Sequence, residues 1–292
     1  MKKLGKLAKR YRIEEGKQLR LKDFDPGDTG KFHSKEQANE ALEAGIAQLR
    51  DLQDKLYAQE RWAVLLILQG MDAAGKDSVV KHVMSGVNPE GCQVYSFKAP
   101  SEEELKHDYL WRTNQRLPAR GRIGIFNRSY YEEVLVVRVH KELLDNEKIP
   151  PPLISKSIWE ERFEGMTAFE RYLSHNGIVI RKFFLNLSKQ EQKKRFLARL
   201  EEPEKNWKFS AADIHEREYW DDYMDAYEDM ICHTATPDAP WYVVPADNKW
   251  YTHVVVAAAV VHTLEKLRLS YPKVDPAKRK ELEAARALLQ KE

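Results

Sequence analysis

The sequence contains no apolar run long enough to cross a membrane. Its two most apolar stretches, 62–68 and 254–261, fall well short of the about 20 residues that a spanning helix requires. The basic start, MKKLGKLAKRYR, lacks an apolar core of about 7 to 15 residues and so does not read as a secretory leader. Cysteine is scarce. The two in 292 residues, Cys92 and Cys232, are far apart without metal-ligand spacing, which excludes a disulfide framework and leaves both as packing residues in a reducing compartment. An excess of one charge is also missing: 48 Lys and Arg against 46 Asp and Glu argue against nucleic-acid binding by bulk charge. No internal repeat or low-complexity tract is present. A cytoplasmic globule with neither a membrane nor a nucleic acid as partner is expected, and 42% hydrophobic residues suffice for one sizeable core with an appended module.

The chain is organised around residues 62–78, WAVLLILQGMDAAGKDS. The apolar run suits a parallel strand buried on both faces. It ends in Gly70-Met-Asp-Ala-Ala-Gly75-Lys76, the G-x-x-x-x-G-K core of a loop whose amides cradle phosphate. Gly70, Ala73, Ala74, Gly75, Lys76, Asp77 and Ser78 form that cradle, with the positive end of the following helix and the Lys76 ammonium. Asp77 stands where such loops usually carry the Ser or Thr that holds magnesium, and Ser78 follows one place late. A carboxylate inside a phosphate loop repels its ligand unless a cation lies between, so Asp72 reads as a magnesium-side group or as an orienter of the nucleophile.

Further strands are predicted at 93–98, 122–126, 178–187 and 241–245, alternating with helices at 34–60, 101–114, 153–175, 188–230 and 250–269. That alternation gives an α/β fold, a five-stranded parallel sheet sandwiched by helices. The expected division is an N-terminal basic arm and helix over 1–60, a first core part over 61–187, a charged helical lid over 188–235, and core completion over 236–292. Ligands gather at the carboxyl ends of parallel strands. Those ends carry the glycine loop, Lys98, and Asn127-Arg128-Ser129-Tyr130-Tyr131-Glu132-Glu133. Arg128 is suited to bidentate phosphate contact. Neutral Asn127 leaves Asp72, Glu132 and Glu133 as candidates for the negative charge a metal needs. Lys98, His107, Arg112 and Arg116 are within reach of an acceptor, and Lys194, Arg195, Arg199, Lys205 and Lys208 can line the lid. Trp207 and Trp220 read as packing residues.

GMDAAGKDS, SFKAPSEEELKHDYLWR, IGIFNRSYYEEVLVVRVH, WKFSAADIHEREYWDDYMDAY and APWYVVPADNKWY together closely resemble the family-2 polyphosphate kinases, and the arm GKQLRLKDFDPGDTGKF does so as well. The resemblance implies a thymidylate-kinase-like P-loop core with a helical lid, and magnesium-dependent phosphoryl transfer between inorganic polyphosphate and a nucleotide. The family's loop aspartate and lysine fall on Asp72 and Lys76. One large branch begins its second motif Asp-Arg-Ser, whereas Asn127-Arg128-Ser129 with Glu132 resembles the branch called class III, whose members phosphorylate both AMP and ADP. The resemblance further implies that Lys194, Arg195, Arg199 and Lys208 grip the polyphosphate, and that the assembly is a dimer or tetramer. Polyphosphate is then expected under the lid with its terminal phosphoryl at the loop. AMP or ADP lies near Lys98, Arg112, Asn127, Arg128, Glu132 and Glu133, Mg2+ lies at Asp72 and Glu132, and ADP or ATP is the product. An ATP-dependent nucleotide or nucleoside kinase shares this core. A non-catalytic nucleotide sensor is the rival of another class, against which two carboxylates and an arginine at one loop argue.

Overall fold

A computed structural model describes residues 2–291, without the side chains of 2–4 and 208. The chain opens with α1 (Lys2–Arg10) and the two-residue β1 (Arg12–Ile13), then reaches the long α2 (Lys35–Gln59). β2 (Ala63–Gln69) leads into α3 (Lys76–Val83), β3 (Cys92–Ser96), the single turn α4 (Trp111–Asn114), β4 (Ile123–Asn127) and α5 (Val136–Val139). α6 (Ile158–His175), β5 (Ile178–Asn186), α7 (Lys189–Glu201), α8 (Ala211–Glu216) and α9 (Trp220–Thr234) follow. β6 (Trp241–Pro245), α10 (Lys249–Lys266) and α11 (Pro276–Leu289) complete it.

The strands form one six-stranded sheet in the order β1-β6-β5-β2-β4-β3. β2 to β6 are the five parallel strands that the sequence predicts. The sixth, β1, is an addition: it pairs antiparallel with β6, Arg12 opposite Tyr242 and Ile13 opposite Trp241. Two residues in a charged arm carry no period-two signal, and their pairing covers an edge that β6 would otherwise expose.

β2 is buried along its length, and its alternate side chains feed two cores. Val64, Leu66 and Leu68 pack with Ile123, Ile125, Phe183, Leu185 and the apolar face of α10. Leu65 and Ile67 point the other way, to Phe126, Phe163, Met166, Phe184 and Trp241. This is the two-sided burial of a central parallel strand. The second core also holds a charge: Lys182 Nζ lies 2.6 Å from Glu170 Oε2, both fully buried. Glu170 Oε1 accepts from the hydroxyls of Tyr130 and Tyr131, each at 2.7 Å.

α2 starts as its sequence implies, with Ser34 Oγ accepting from the Gln37 N–H. The helix expected over 101–114 is interrupted. Ser101 and Glu104 exchange capping bonds, but His107 is extended and the Asp108 carboxylate accepts the Leu110 N–H, starting the separate turn α4. Pro151–Leu153 forms a short 3-10 turn, so the helix expected from 153 begins at Ile158. Among the described residues no helix is long and apolar enough to cross a membrane. Since β2 is flanked by β4 on one side and β5 on the other, the strand order reverses there, which sets a crevice at the carboxyl ends.

Candidate active site

Gly70 (φ 151°) and Gly75 (φ 106°) hold backbone conformations that L side chains rarely adopt, and Ala73 sits at φ 63° despite its Cβ. The carbonyls between them face α7. Gln192 Nε2 donates to the Asp72 carbonyl at 2.8 Å, and Arg195 Nη1 donates to those of Ala73 (2.9 Å) and Ala74 (3.1 Å). Arg195 Nη2 also reaches Ala246 and Asp247 after β6. With its carbonyls held this way, the loop closes onto the N-terminus of α3, an arrangement that can cradle an anion.

Lys76 Nζ donates to the carbonyls of Gly70 (2.6 Å) and Met71 (3.3 Å). Burial first, and then the nearby Arg128 charge, push its pKa down to about 8, partly opposed by Asp72, Glu132 and Asp77. Asp77 is explained by its partner: Asn127 Nδ2 at the end of β4 donates to Asp77 Oδ1 at 2.7 Å, clamping the α3 N-terminus to the neighbouring strand. The Ser78 hydroxyl meets His253 Nε2 of α10 at 3.0 Å.

Arg128 follows β4 with a left-handed backbone (φ 64°). Its Nη2 lies 2.7 Å from Asp72 Oδ1 and its Nη1 3.3 Å from Glu132 Oε2, while Gln69 Nε2 donates to Glu132 Oε1 at 3.0 Å. The Glu132 carboxylate foremost keeps the guanidinium charged, with Asp72 adding to it. The two carboxylates therefore flank one cation beside the loop. A magnesium ion is held by one or two carboxylates together with phosphate oxygens and water, and Asp72 with Glu132 fits that set. Among the described residues no group of three or more His, Cys, Asp or Glu is arranged to hold a metal alone.

A cleft of about 610 Å³ runs from the loop past Lys98 and Arg128 to Arg199, Lys205 and Lys249. The residues expected to line a lid divide. Arg195 and Arg199 both line the cleft, but Arg199 pairs with Asp213 at 3.4 Å, whereas Arg195 donates to the loop carbonyls and pairs with Glu191, bracing the loop. Lys194 is exposed, pairs with Glu191 at 3.7 Å and does not line the cleft. The side chain of Lys208 lies outside the described residues. Lys249 went unread in the sequence, although its place just after β6 is the same strand-end signal that marks Lys98. Trp220 is packed as expected, but Trp207 is 78% exposed.

A second pocket of about 290 Å³ shares Phe97, Lys98, Ala99 and Arg128 with the cleft. Arg112 lies in it, buried, with Nη1 donating to the Lys98 carbonyl at 2.7 Å. Glu132 and Glu133 line it too. Glu133 turns away from the glycine loop to Arg162 Nη1 at 3.2 Å, and burial with the adjoining Glu147 carboxylate raises its pKa to about 8. His107 stacks on Trp111 (centroids 4.0 Å apart) at the pocket wall, and Arg116 lies over Tyr95.

The family model described as Polyphosphate kinase 2 matches residues 32–271. The ADP-polyphosphate phosphotransferase of Rhodopseudomonas palustris is 54% identical over 276 residues, covering 94% of this chain and 96% of that protein. The AMP/ADP-polyphosphate phosphotransferase of Meiothermus ruber is 45% identical over 273 residues, covering 93% and 98%. A crystal structure of Polyphosphate Kinase 2 from Arthrobacter aurescens TC1 superposes with a TM-score of 0.88 at 41% identity, covering 98% of this chain and 97% of that one.

Proposed function

The chain belongs to the polyphosphate kinase 2 family, and on that footing we propose that it transfers the terminal phosphoryl group of inorganic polyphosphate to AMP and ADP, giving ADP and ATP. One observation carries this reading: Arg128 forms a wall of both cavities, so a single guanidinium can touch a donor chain in the basic cleft and an acceptor in the second pocket. Phosphoryl transfer asks for little covalent chemistry from a protein, so alignment of donor and acceptor is the main task.

The donor's terminal phosphoryl lies on the Gly70–Lys76 amides, with Lys76 on its oxygens and the rest of the chain along Arg199, Lys205 and Lys249. The acceptor phosphate lies toward Lys98 and Arg112. Arg128, aimed by Asp72 and Glu132, follows the charge that builds between them. Magnesium on Asp72 and Glu132 supplies charge neutralisation of phosphate oxygens when bound. AMP as well as ADP is included because Asn127-Arg128-Ser129 with Glu132 is the class III pattern, and the Meiothermus relative is named for both acceptors. Residues 188–235 act as a lid that excludes water during transfer. The setting is the cytoplasm, and the assembly a dimer or tetramer.

The test is to incubate purified protein with magnesium, polyphosphate and, in separate reactions, AMP or ADP, without added ATP, and to separate the nucleotides over time. ADP followed by ATP supports the proposal. ATP formed from ADP but nothing from AMP restricts it to the diphosphate, and no product from either acceptor refutes it.

A further inference from the structure

Asp72 is held twice. Its carboxylate meets Arg128, and its backbone carbonyl accepts from Gln192 Nε2 on α7 at 2.8 Å. Gln192 is buried, and the other end of its amide, Oε1, accepts from Arg217 Nη1 at 2.5 Å. The same Nη1 donates to the carbonyl of Lys189, the first residue of α7, at 3.2 Å. A guanidinium only donates and a backbone carbonyl only accepts, so these partners fix the Gln192 amide in one orientation, oxygen toward Arg217 and nitrogen toward Asp72. Turned over, the amide would lose both bonds.

Arg217 lies in the turn between α8 and α9. Its neighbour Glu216 comes to the same place by another route, lining a small cavity of about 30 Å³ with Asp72, Arg128 and Glu132. Glu216 Oε2 accepts the Tyr223 hydroxyl at 2.7 Å and meets His140 Nε2 at 3.1 Å, which ties the turn to α9 and to the end of α5. Two consecutive residues therefore bear on Asp72, one beside its carboxylate and one through its carbonyl. Phosphoryl transfer depends on alignment, and displacing a catalytic group by about 1 Å can cost about 10²-fold in rate.

Resting on the function proposed above, we propose that Arg217 is a positioning residue for phosphoryl transfer: by orienting Gln192 it holds Asp72 in register with Arg128, so that the turn between α8 and α9 sets the geometry of the phosphate loop. Arg217 itself touches neither donor nor acceptor.

The experiment measures kcat, KM for polyphosphate, KM for the acceptor and the urea unfolding midpoint. It uses AMP or ADP, whichever the wild type turns over faster, and compares the wild type with Gln192→Glu, Gln192→Met, Arg217→Met and the double variant Gln192→Met/Arg217→Met. Glutamate at 192 still accepts from Arg217 but has no donor for the Asp72 carbonyl. Gln192→Glu should therefore leave both KM values near those of the wild type while kcat falls at least about tenfold. Arg217→Met should lower kcat to a similar extent, and the double variant should be no slower than Gln192→Met alone, because both changes act through one contact. Wild-type kcat in Gln192→Glu or in Arg217→Met overturns the proposal, and so do losses that multiply in the double variant. A lower unfolding midpoint with kcat unchanged overturns it as packing alone, and a higher KM for polyphosphate with kcat unchanged overturns it as charge alone. Should a methionine variant fail to fold, Gln192→Glu decides by the same reading. Failure of the wild type to turn over AMP or ADP at all would instead sink the underlying function.

Discussion

Lys76 carries the clearest consequence for a single side chain. Its charge is opposed by burial, so Lys76→Met should leave the unfolding midpoint in urea nearly unchanged or raised, while kcat falls at least about 10²-fold, as for other lost transition-state contacts. The same burial fixes a pH dependence. An ordinary lysine stays protonated until about pH 10.4, but Lys76 loses its proton near pH 8 in the folded chain. kcat/KM for polyphosphate should therefore fall as pH rises through about 8. The unfolded state binds the extra proton between that value and the ordinary one, so the Lys76 contribution to stability rises with pH across the same window, and Lys76→Met should flatten that rise. At this scale residue types were legible and their directions were not. The glycine loop, Asp72 and Arg128 come together as the sequence implies, but nothing in the sequence says that Arg195 points at loop carbonyls or that Lys194 points away. An alternating-charge helix offers no mark of which cations face a cleft.

Elements are joined here by buried polar groups as much as by apolar faces. α7 is stitched to the phosphate loop through Arg195, whose guanidinium serves four backbone carbonyls at once. A lysine keeps the charge but cannot reproduce that fork, so Arg195→Lys should lower kcat/KM at least about tenfold through loss of loop geometry. Steady-state kinetics at saturating AMP check it. Behind the Arg128 turn, Glu170 receives Lys182 and two tyrosine hydroxyls. Lys182→Met leaves that carboxylate buried and unpaired, which should cost about 3–5 kcal/mol in urea unfolding, and adding Glu170→Gln should recover part of the loss. The parallel strands were readable because each is an apolar run between turn signals. β1 was not, being two residues whose strand identity exists only through β6. The helix expected over 101–114 failed because Asp108 competes locally for a backbone N–H, a choice that helical periodicity does not register.

For the whole molecule, near-neutral net charge conceals an uneven distribution. Lys98, Arg128, Arg199, Lys205 and Lys249 share one cleft in a chain whose charges otherwise balance. Walls of one sign concentrate a polyanion, and salt screens exposed charges beyond about 8 Å at physiological ionic strength. KM for polyphosphate should therefore rise several-fold as salt is increased, more steeply than KM for AMP, and Lys249→Gln should reduce the slope. Balanced composition spoke only against nucleic-acid binding by bulk charge and said nothing about a local basic patch. The strand-end rule gathers Lys98 and Arg128, the expectation of a basic lid adds Arg199 and Lys205, and neither reached Lys249. The central claim is that Arg128 stands between donor and acceptor, and a crystal structure with polyphosphate and AMP bound tests it most directly. The account predicts the chain's terminal phosphate on the Gly70–Lys76 loop and the AMP phosphate in the second pocket, with Arg128 reaching both. Polymer or nucleotide bound elsewhere, with Arg128 touching neither, would contradict it.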